Sequence, residues 1–341
     1  MRFGQWLGLL ALIISLYIIW QIRQIVLIAF ASVALATVLN QQVRFLQRLR
    51  MRRSLAVSIS IGLLLLIIVI FALLIVPSII EQLQQFSNLM PMALERIRSW
   101  NNWLIRVIPD NILENIRGLQ YLTQSIQTWA NQIIRNFFIL LNSSFTIVLG
   151  LLLFFVLTIM LLANPGEYRQ GFIMLFPAFY RPRVDEILSE CANSLVGWIR
   201  GTLLAMLVIA LMSYIGLLIL GIPLPLINAL LAGLLEFIPN VGPTLSVIPP
   251  ALLALNESPW KAVAVIILYF GIQQFESLIL LPLVMKTQVS LLPAVTILAV
   301  VIFGSFFGFL GVFLAVPLVI IFQIWIKEVI VKDILDHWHG K

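Results

Sequence analysis

Glu236 and Glu276 are the residues whose type and setting point most directly to chemistry, because each puts a carboxylate inside an apolar stretch. An ionisable side chain at bilayer depth costs at least about 2.5 kcal/mol and usually faces a bundle interior, on an ion, proton or solute path. Around the first the chain reads Leu234-Leu235-Glu236-Phe237-Ile238-Pro239-Asn240-Val241-Gly242-Pro243, with Asn228 upstream. Pro239, Pro243 and Gly242 interrupt a run that would otherwise cross a bilayer as helix, which frees backbone carbonyls beside the carboxylate. Near the second, Gln273 and Ser277 are four apart and share a helix face, with Glu276 three residues from Gln273 and Gln274 between them. Such groups can carry a proton, hold a monovalent cation or hydrogen-bond a small neutral polyol. The plainer role for either glutamate is to snorkel to an interface or to hydrogen-bond two helices together.

Other chemistries lack their residues. There is no Walker-type glycine loop, no His-Glu-x-x-His and no Gly-x-Ser-x-Gly. Cys191 is the only cysteine, which excludes disulfides within the chain, and the two histidines, His337 and His339, stand at the C-terminus. No enzyme, cofactor or metal site is expected. Without a nucleotide site, work must come from an ion gradient, or the protein conducts downhill.

The elements that position these groups follow from composition. Hydrophobic residues make up 62% of the 341 and charged residues 10%, which predicts an all-α polytopic membrane protein of about eight spans, embedded in the lipid bilayer. The net charge of +7 lies mostly at the ends of apolar runs, where it sets topology beside anionic lipid, so nucleic acid is not an expected partner. Residues 1–80 hold the first spans, two of them turning near Arg23. The loop 40–54 carries Arg44, Arg48, Arg50, Arg52 and Arg53 without an acidic residue, and is therefore expected in the cytoplasm.

From 81 to 135 the pattern changes, with Ile112, Ile116, Leu119, Leu122, Ile126, Trp129 and Ile133 at helical spacing among polar residues. That predicts an amphipathic helical insert outside the cytoplasm. Residues 136–166 return as a span. Residues 167–200 form a cytoplasmic interfacial helix with Val184, Ile187, Cys191, Leu195 and Trp198 on one face and Arg181, Arg183, Asp185, Glu186 and Glu190 wet; it ends at Arg200 and Gly201, a candidate gate. Residues 201–326 make a C-terminal bundle with broken or re-entrant helices, and 327–341 a cytoplasmic tail. Whether 224–256 and 287–326 cross fully or re-enter is open. Pro225 to Pro249 and Pro293 to Pro317 are windows of equal length with Leu230 and Leu298 at matching places, an echo of the kind paired repeats leave.

Several motifs resemble a known family: Gly216-Leu217-Leu218-Ile219-Leu220-Gly221-Ile222-Pro223, Leu230-Leu231-Ala232-Gly233, Phe237-Ile238-Pro239-Asn240-Val241-Gly242-Pro243, Gly197-Trp198-Ile199-Arg200-Gly201, Gln273-Gln274-Phe275-Glu276 and Gly311-Val312-Phe313-Leu314-Ala315-Val316-Pro317. In this order they resemble the autoinducer-2 exporter family, also called PerM-like permeases. The resemblance implies a bacterial inner-membrane transporter of about eight helices, with cytoplasmic termini, an external insert after the third span and a homo-oligomeric state. Members are described as exporters of the furanone signal autoinducer-2, others as sodium or lithium/proton antiporters. Asn240, Thr202 and Leu292 depart from residues frequent in the family.

The expected function is export of a small polar molecule of the autoinducer-2 type by a secondary transporter or facilitator. Its pathway runs through Glu236, Asn228, Pro239, Asn240, Gly242, Pro243, Gln273, Gln274, Glu276 and Ser277. The alternatives are sodium or lithium/proton antiport at the two carboxylates, and a membrane scaffold whose external lobe binds a partner.

Overall fold

Long apolar runs without internal charge can satisfy their backbone in hydrocarbon only as helices, and helices are what the computed structural model contains. It describes residues 14, 17–18, 20–74, 76–77, 80–81, 144–238, 241–284 and 293–335. The expected insert at 81–135 lies almost wholly outside the described residues, as do Pro239, Asn240, His337 and His339. In chain order the helices are α1 (Arg23–Arg48), α2 (Arg53–Leu74), α3 (Ser144–Ala163), α4 (Pro165–Ile173), α5 (Arg181–Ile219), α6 (Pro225–Leu235), α7 (Val241–Ser246), α8 (Ile248–Glu257), α9 (Pro259–Phe275) and α10 (Pro293–Trp325). A π-wound turn, Glu276–Leu280, continues α9, and a π-wound segment, Ile326–Leu335, continues α10. No strand occurs among the described residues. Five helices there are long and apolar enough to cross a membrane, or six if the bent pair α3 and α4 counts as one span.

The chain divides into two compact units. One comprises Met1–Leu64, Val148–Gly201 and Met285–Lys341, the other Leu65–Ile147 and Thr202–Val284. In the first, α1 runs on to Arg48, so the arginine-rich loop is only the turn before Arg53, with Arg50 at φ 65°. No proline or glycine stands between Asn40 and Arg48 to stop the helix. Ala36, Leu39, Val43, Ala56, Val57, Ile61 and Leu162 pack as its core. Arg53 donates through Nε to the Ala163 carbonyl at 2.7 Å and through NH2 to that of Leu162 at 2.8 Å, placing a cation on the orphan carbonyls that end α3. Val184, Ile187, Cys191, Leu195 and Trp198 are all buried, as their helical spacing predicts.

α10 is too long to be one straight span, and it breaks at Gly308, where φ is 66° and ψ is −145°. A Cβ on Gly311 would strike the carbonyl of Phe303. In a straight helix those residues would stand about 12 Å apart, so the chain doubles back at Gly308 into a helical hairpin. The second unit contains the same device. A Cβ on Gly242 would strike the Leu235 carbonyl, so α7 turns back over the end of α6. Pro225 opens α6 and Pro293 opens α10. Leu235 and Phe303 each stand ten residues beyond the opening proline, so the echo between the two proline windows has a counterpart in local geometry.

Candidate functional site

In the second unit, the later half of α5 turns at Gly221 (φ 64°) and Leu224 (φ 58°) into α6, which starts on Pro225 and runs back against α5. The return is close, since a Cβ on Gly233 would lie 2.6 Å from the Met206 carbonyl oxygen and 2.8 Å from Ala210 Cβ. Only glycine lets the two backbones approach so nearly, the kind of contact by which helices associate in lipid. Ile209, Leu217, Ile222, Ala232, Ala254, Ala262, Val265, Tyr269 and Ile272 form the apolar core. α9 begins at the N-cap Ser258, whose hydroxyl accepts from the Lys261 amide at 3.2 Å.

The two carboxylates meet inside this unit. α6 ends at Glu236, and α9 gives way to its π-wound turn at Glu276. Their carboxyl groups come within hydrogen-bonding range of each other, with Glu236 only 4% and Glu276 6% exposed. Gln273 Nε2 donates to Glu276 Oε2 at 2.9 Å, while Glu236 Oε2 is buried and has no partner among the described residues. A carboxylate is an acceptor only, so a hydrogen bond between two carboxyl groups needs one proton between them. The arrangement can therefore take up and release a proton, and in the released state it presents buried oxygens to a cation or a hydroxyl. π-turns occur mainly as single interruptions at functional positions, and this one starts on the carboxylate itself.

The other expected residues fall in different places. Gly242 is buried where α7 crosses α6, next in sequence to the half-buried Pro243. Asn228 is fully buried on α6, about 12 Å of helix before Glu236, and its Nδ2 donates to the Leu224 carbonyl at 3.1 Å. Gln274 and Ser277 are exposed, and the Ser277 hydroxyl donates to the carbonyl of Gln273 at 2.9 Å, so neither joins the carboxyl pair. Arg200 and Gly201 belong to the first unit, where the Arg200 guanidinium donates to Gln41 Oε1. Pro239 and Asn240 lie outside the described residues.

Two features escaped the sequence reading. In the first unit, Glu328 is 2% exposed and pairs with Arg183 NH2 at 2.7 Å and Lys332 Nζ at 2.6 Å. Arg183 NH2 also lies 3.2 Å from Asp333, to which Tyr180 donates at 2.6 Å. Arg183 is therefore no freely solvated charge, and Ile326–Leu335 is an anchored helix where a tail was expected. π winding aligns residues five apart, which is why Glu328 and Asp333 reach the same guanidinium. In the second unit, Ser213 and Tyr269 put two hydroxyls into the apolar core. Serine and tyrosine are common in apolar runs, so nothing in the sequence singles these two out.

The model of the AI-2E family transporters matches residues 9–330 of this chain. YueF of Bacillus subtilis (strain 168), named a candidate transport protein, is 25% identical over 293 residues, covering 82% of this chain and 77% of YueF. PerM of Escherichia coli (strain K12), named a candidate permease, is 26% identical over 300 residues, covering 84% of this chain and 82% of PerM. YrrI of Bacillus subtilis, also named a candidate transport protein, reaches 34% identity over 143 residues, 42% of this chain and 40% of YrrI. With nearly its whole length matched by the family model, and with several apolar helices long enough to span a membrane, this chain belongs to the AI-2E transporter family.

Proposed function

We propose that the protein exports a small polar molecule across the bacterial inner membrane, and that Glu236 and Glu276, steadied by Gln273, form its coupling site. The observation that carries this reading is the meeting of two buried carboxyls from separate elements beside a broken helix. Discontinuous helices in transporters bring freed backbone groups to a substrate or ion site in the same way. A proton held by the pair gives the cycle two charge states, so solute movement can be tied to a proton gradient. The solute class is a small neutral polyol, with molecules of the autoinducer-2 type as the family's name suggests. About eight spans, cytoplasmic termini, an external insert and a homo-oligomer complete the reading.

The partnerless Glu236 Oε2 supports a second form of it, exchange of sodium or lithium for protons at the same carboxyls. The test is flux in proteoliposomes of the purified chain under an imposed pH gradient, with sodium, lithium and a labelled polyol offered in turn. Flux above protein-free vesicles for any of them supports transport, and its identity chooses the form. No flux of any of the three with correctly folded protein removes the reading.

A further inference from the structure

In the first unit, two places where the chain leaves its apolar runs are tied together. Arg53 bonds the carbonyls of Leu162 and Ala163, which sets the turn Leu49–Arg52 beside the elbow at Asn164 between α3 and α4. The bend there is 90°, so with α3 crossing a bilayer α4 runs along its surface. Glu167, Arg169 and Gln170 on α4 keep that helix out of hydrocarbon.

The turn carries an unbalanced charge. Arg53 is spent on the two carbonyls and on Asn40 Oδ1 at 3.2 Å. Arg44, Arg48, Arg50 and Arg52 are all exposed, and no ion pair or hydrogen bond among the described residues takes up any of them. Residues 1–80 contain no aspartate or glutamate, and Glu167 at the start of α4 is one carboxylate against four cations. Arg44 and Arg48 stand four apart on α1, where like charges repel. An anion from outside the chain relieves that repulsion.

Bare apolar side chains lie beside these cations. Phe45 and Leu49 are each 63% exposed, Leu175 is 78% and Phe179 85%. The loop after α4 is held firmly all the same. Phe176 stacks on Trp325 at 6.1 Å, Arg181 Nε donates to the Phe176 carbonyl at 3.1 Å, and Tyr180 donates to Asp333 at 2.6 Å. These contacts fix the loop and leave Leu175 and Phe179 uncovered. Cations interleaved with apolar side chains at the end of a span match the boundary between headgroups and acyl chains. A soluble anion would cover the arginines and leave the apolar residues in water. A second copy meeting this face with its own would set arginine against arginine.

We propose that the turn Leu49–Arg52 and the α4 elbow form a docking site for anionic phospholipid. Arg48, Arg50 and Arg52 hold the headgroup phosphate, which a planar guanidinium can grip with two hydrogen bonds. Leu175 and Phe179 enter the acyl region beside it. The site needs only that the chain resides in a membrane and is independent of the function proposed above.

The test titrates the full chain in neutral detergent with phosphatidylglycerol or phosphatidylcholine and counts bound lipid by native mass spectrometry. The native chain is expected to bind phosphatidylglycerol at least about tenfold more tightly. The triple variant Arg48→Gln, Arg50→Gln, Arg52→Gln should lose that preference, and Arg50→Gln alone should lose about fivefold of it. Equal binding of the two lipids by the native chain overturns the site. So does a preference kept by the folded triple variant or, where that variant does not fold, kept in full by Arg50→Gln. Inorganic phosphate in large excess should leave the bound phosphatidylglycerol in place, and its complete displacement would assign the arginines to a soluble anion and overturn the lipid site. In a Cys191→Ala background, a spin label on Phe179→Cys in phosphatidylglycerol vesicles should be relaxed more by oxygen than by an aqueous nickel chelate. The reverse order would overturn the insertion of the elbow.

Discussion

At the scale of single residues, the polar side chains of α9 and its π-wound turn differ in whether they reach the carboxyl pair. Gln273 does, with a 2.9 Å bond to Glu276, while Gln274 and Ser277 are exposed. Gln273→Leu therefore removes a donor from a buried carboxyl, and coupled flux is expected to fall about tenfold, equivalent to roughly 1.4 kcal/mol. Gln274→Leu and Ser277→Ala should stay within about twofold of the native chain, and a loss in either as large as that in Gln273→Leu would place the pathway on the outer face of α9. Glu236 and Glu276 were legible in the sequence because a carboxylate in an apolar run is costly enough to need a reason. Their contact was not, since it depends on where α6 stops and on a π-turn that no residue type announces. Asn228 was legible as polar, but its amide proves to be spent on the start of its own helix.

At the scale of elements, two backbone turns and one ion cluster carry the architecture. Gly242 and Gly311 lie against the carbonyls of Leu235 and Phe303, and a backbone carbonyl cannot swing aside as a side-chain tip can. Gly242→Ala and Gly311→Ala should each cost about 1–3 kcal/mol or more, seen as a lowered thermal midpoint in detergent. Gly271→Ala, with nothing within 4 Å of the added carbon, should be neutral or stabilising by up to about 1 kcal/mol. Equal midpoints for all three would mean that the hairpin contacts are looser than the structure has them. The proline windows made these paired turns partly readable, but nothing in the sequence singles out Gly308 as the residue that takes the positive φ. The Arg183 cluster was not readable, because a glutamate among the lysines and aspartates near a chain end gives no sign of burial. Arg183→Ala leaves Glu328 buried with Lys332 as its remaining cation and should destabilise by about 2 kcal/mol, whereas adding Glu328→Gln to it should restore much of the loss. A double variant less stable than Arg183→Ala would deny that the cluster is an electrostatic clamp. Thermal midpoints of the two variants beside the native chain decide it.

At the scale of the whole molecule, class and family follow from composition and from motifs spread along the chain, since helices crossing lipid leave the plainest of all sequence signals. By the positive-inside tendency, the arginines around the turn before Arg53 predict that this turn faces the cytoplasm. In a Cys191→Ala background, Arg48→Cys should react with a membrane-impermeant maleimide only after inverted or permeabilised vesicles expose the cytoplasmic face. Labelling from outside intact cells would invert the whole arrangement, including the direction of transport. Cys191 is the only native thiol and is 5% exposed, so the background change removes little accessible surface.

The most direct trial of the central claim is proton movement during solute or cation flux in proteoliposomes, followed by an internal pH dye, for the native chain, Glu236→Gln, Glu276→Gln and the double variant. If the two carboxyls act as one proton-holding unit, each single variant loses coupled proton movement by at least about tenfold, and the double variant loses no more than the weaker single. Proton movement that survives in either single variant at the native rate, with flux intact, would contradict the account and return both glutamates to a structural role.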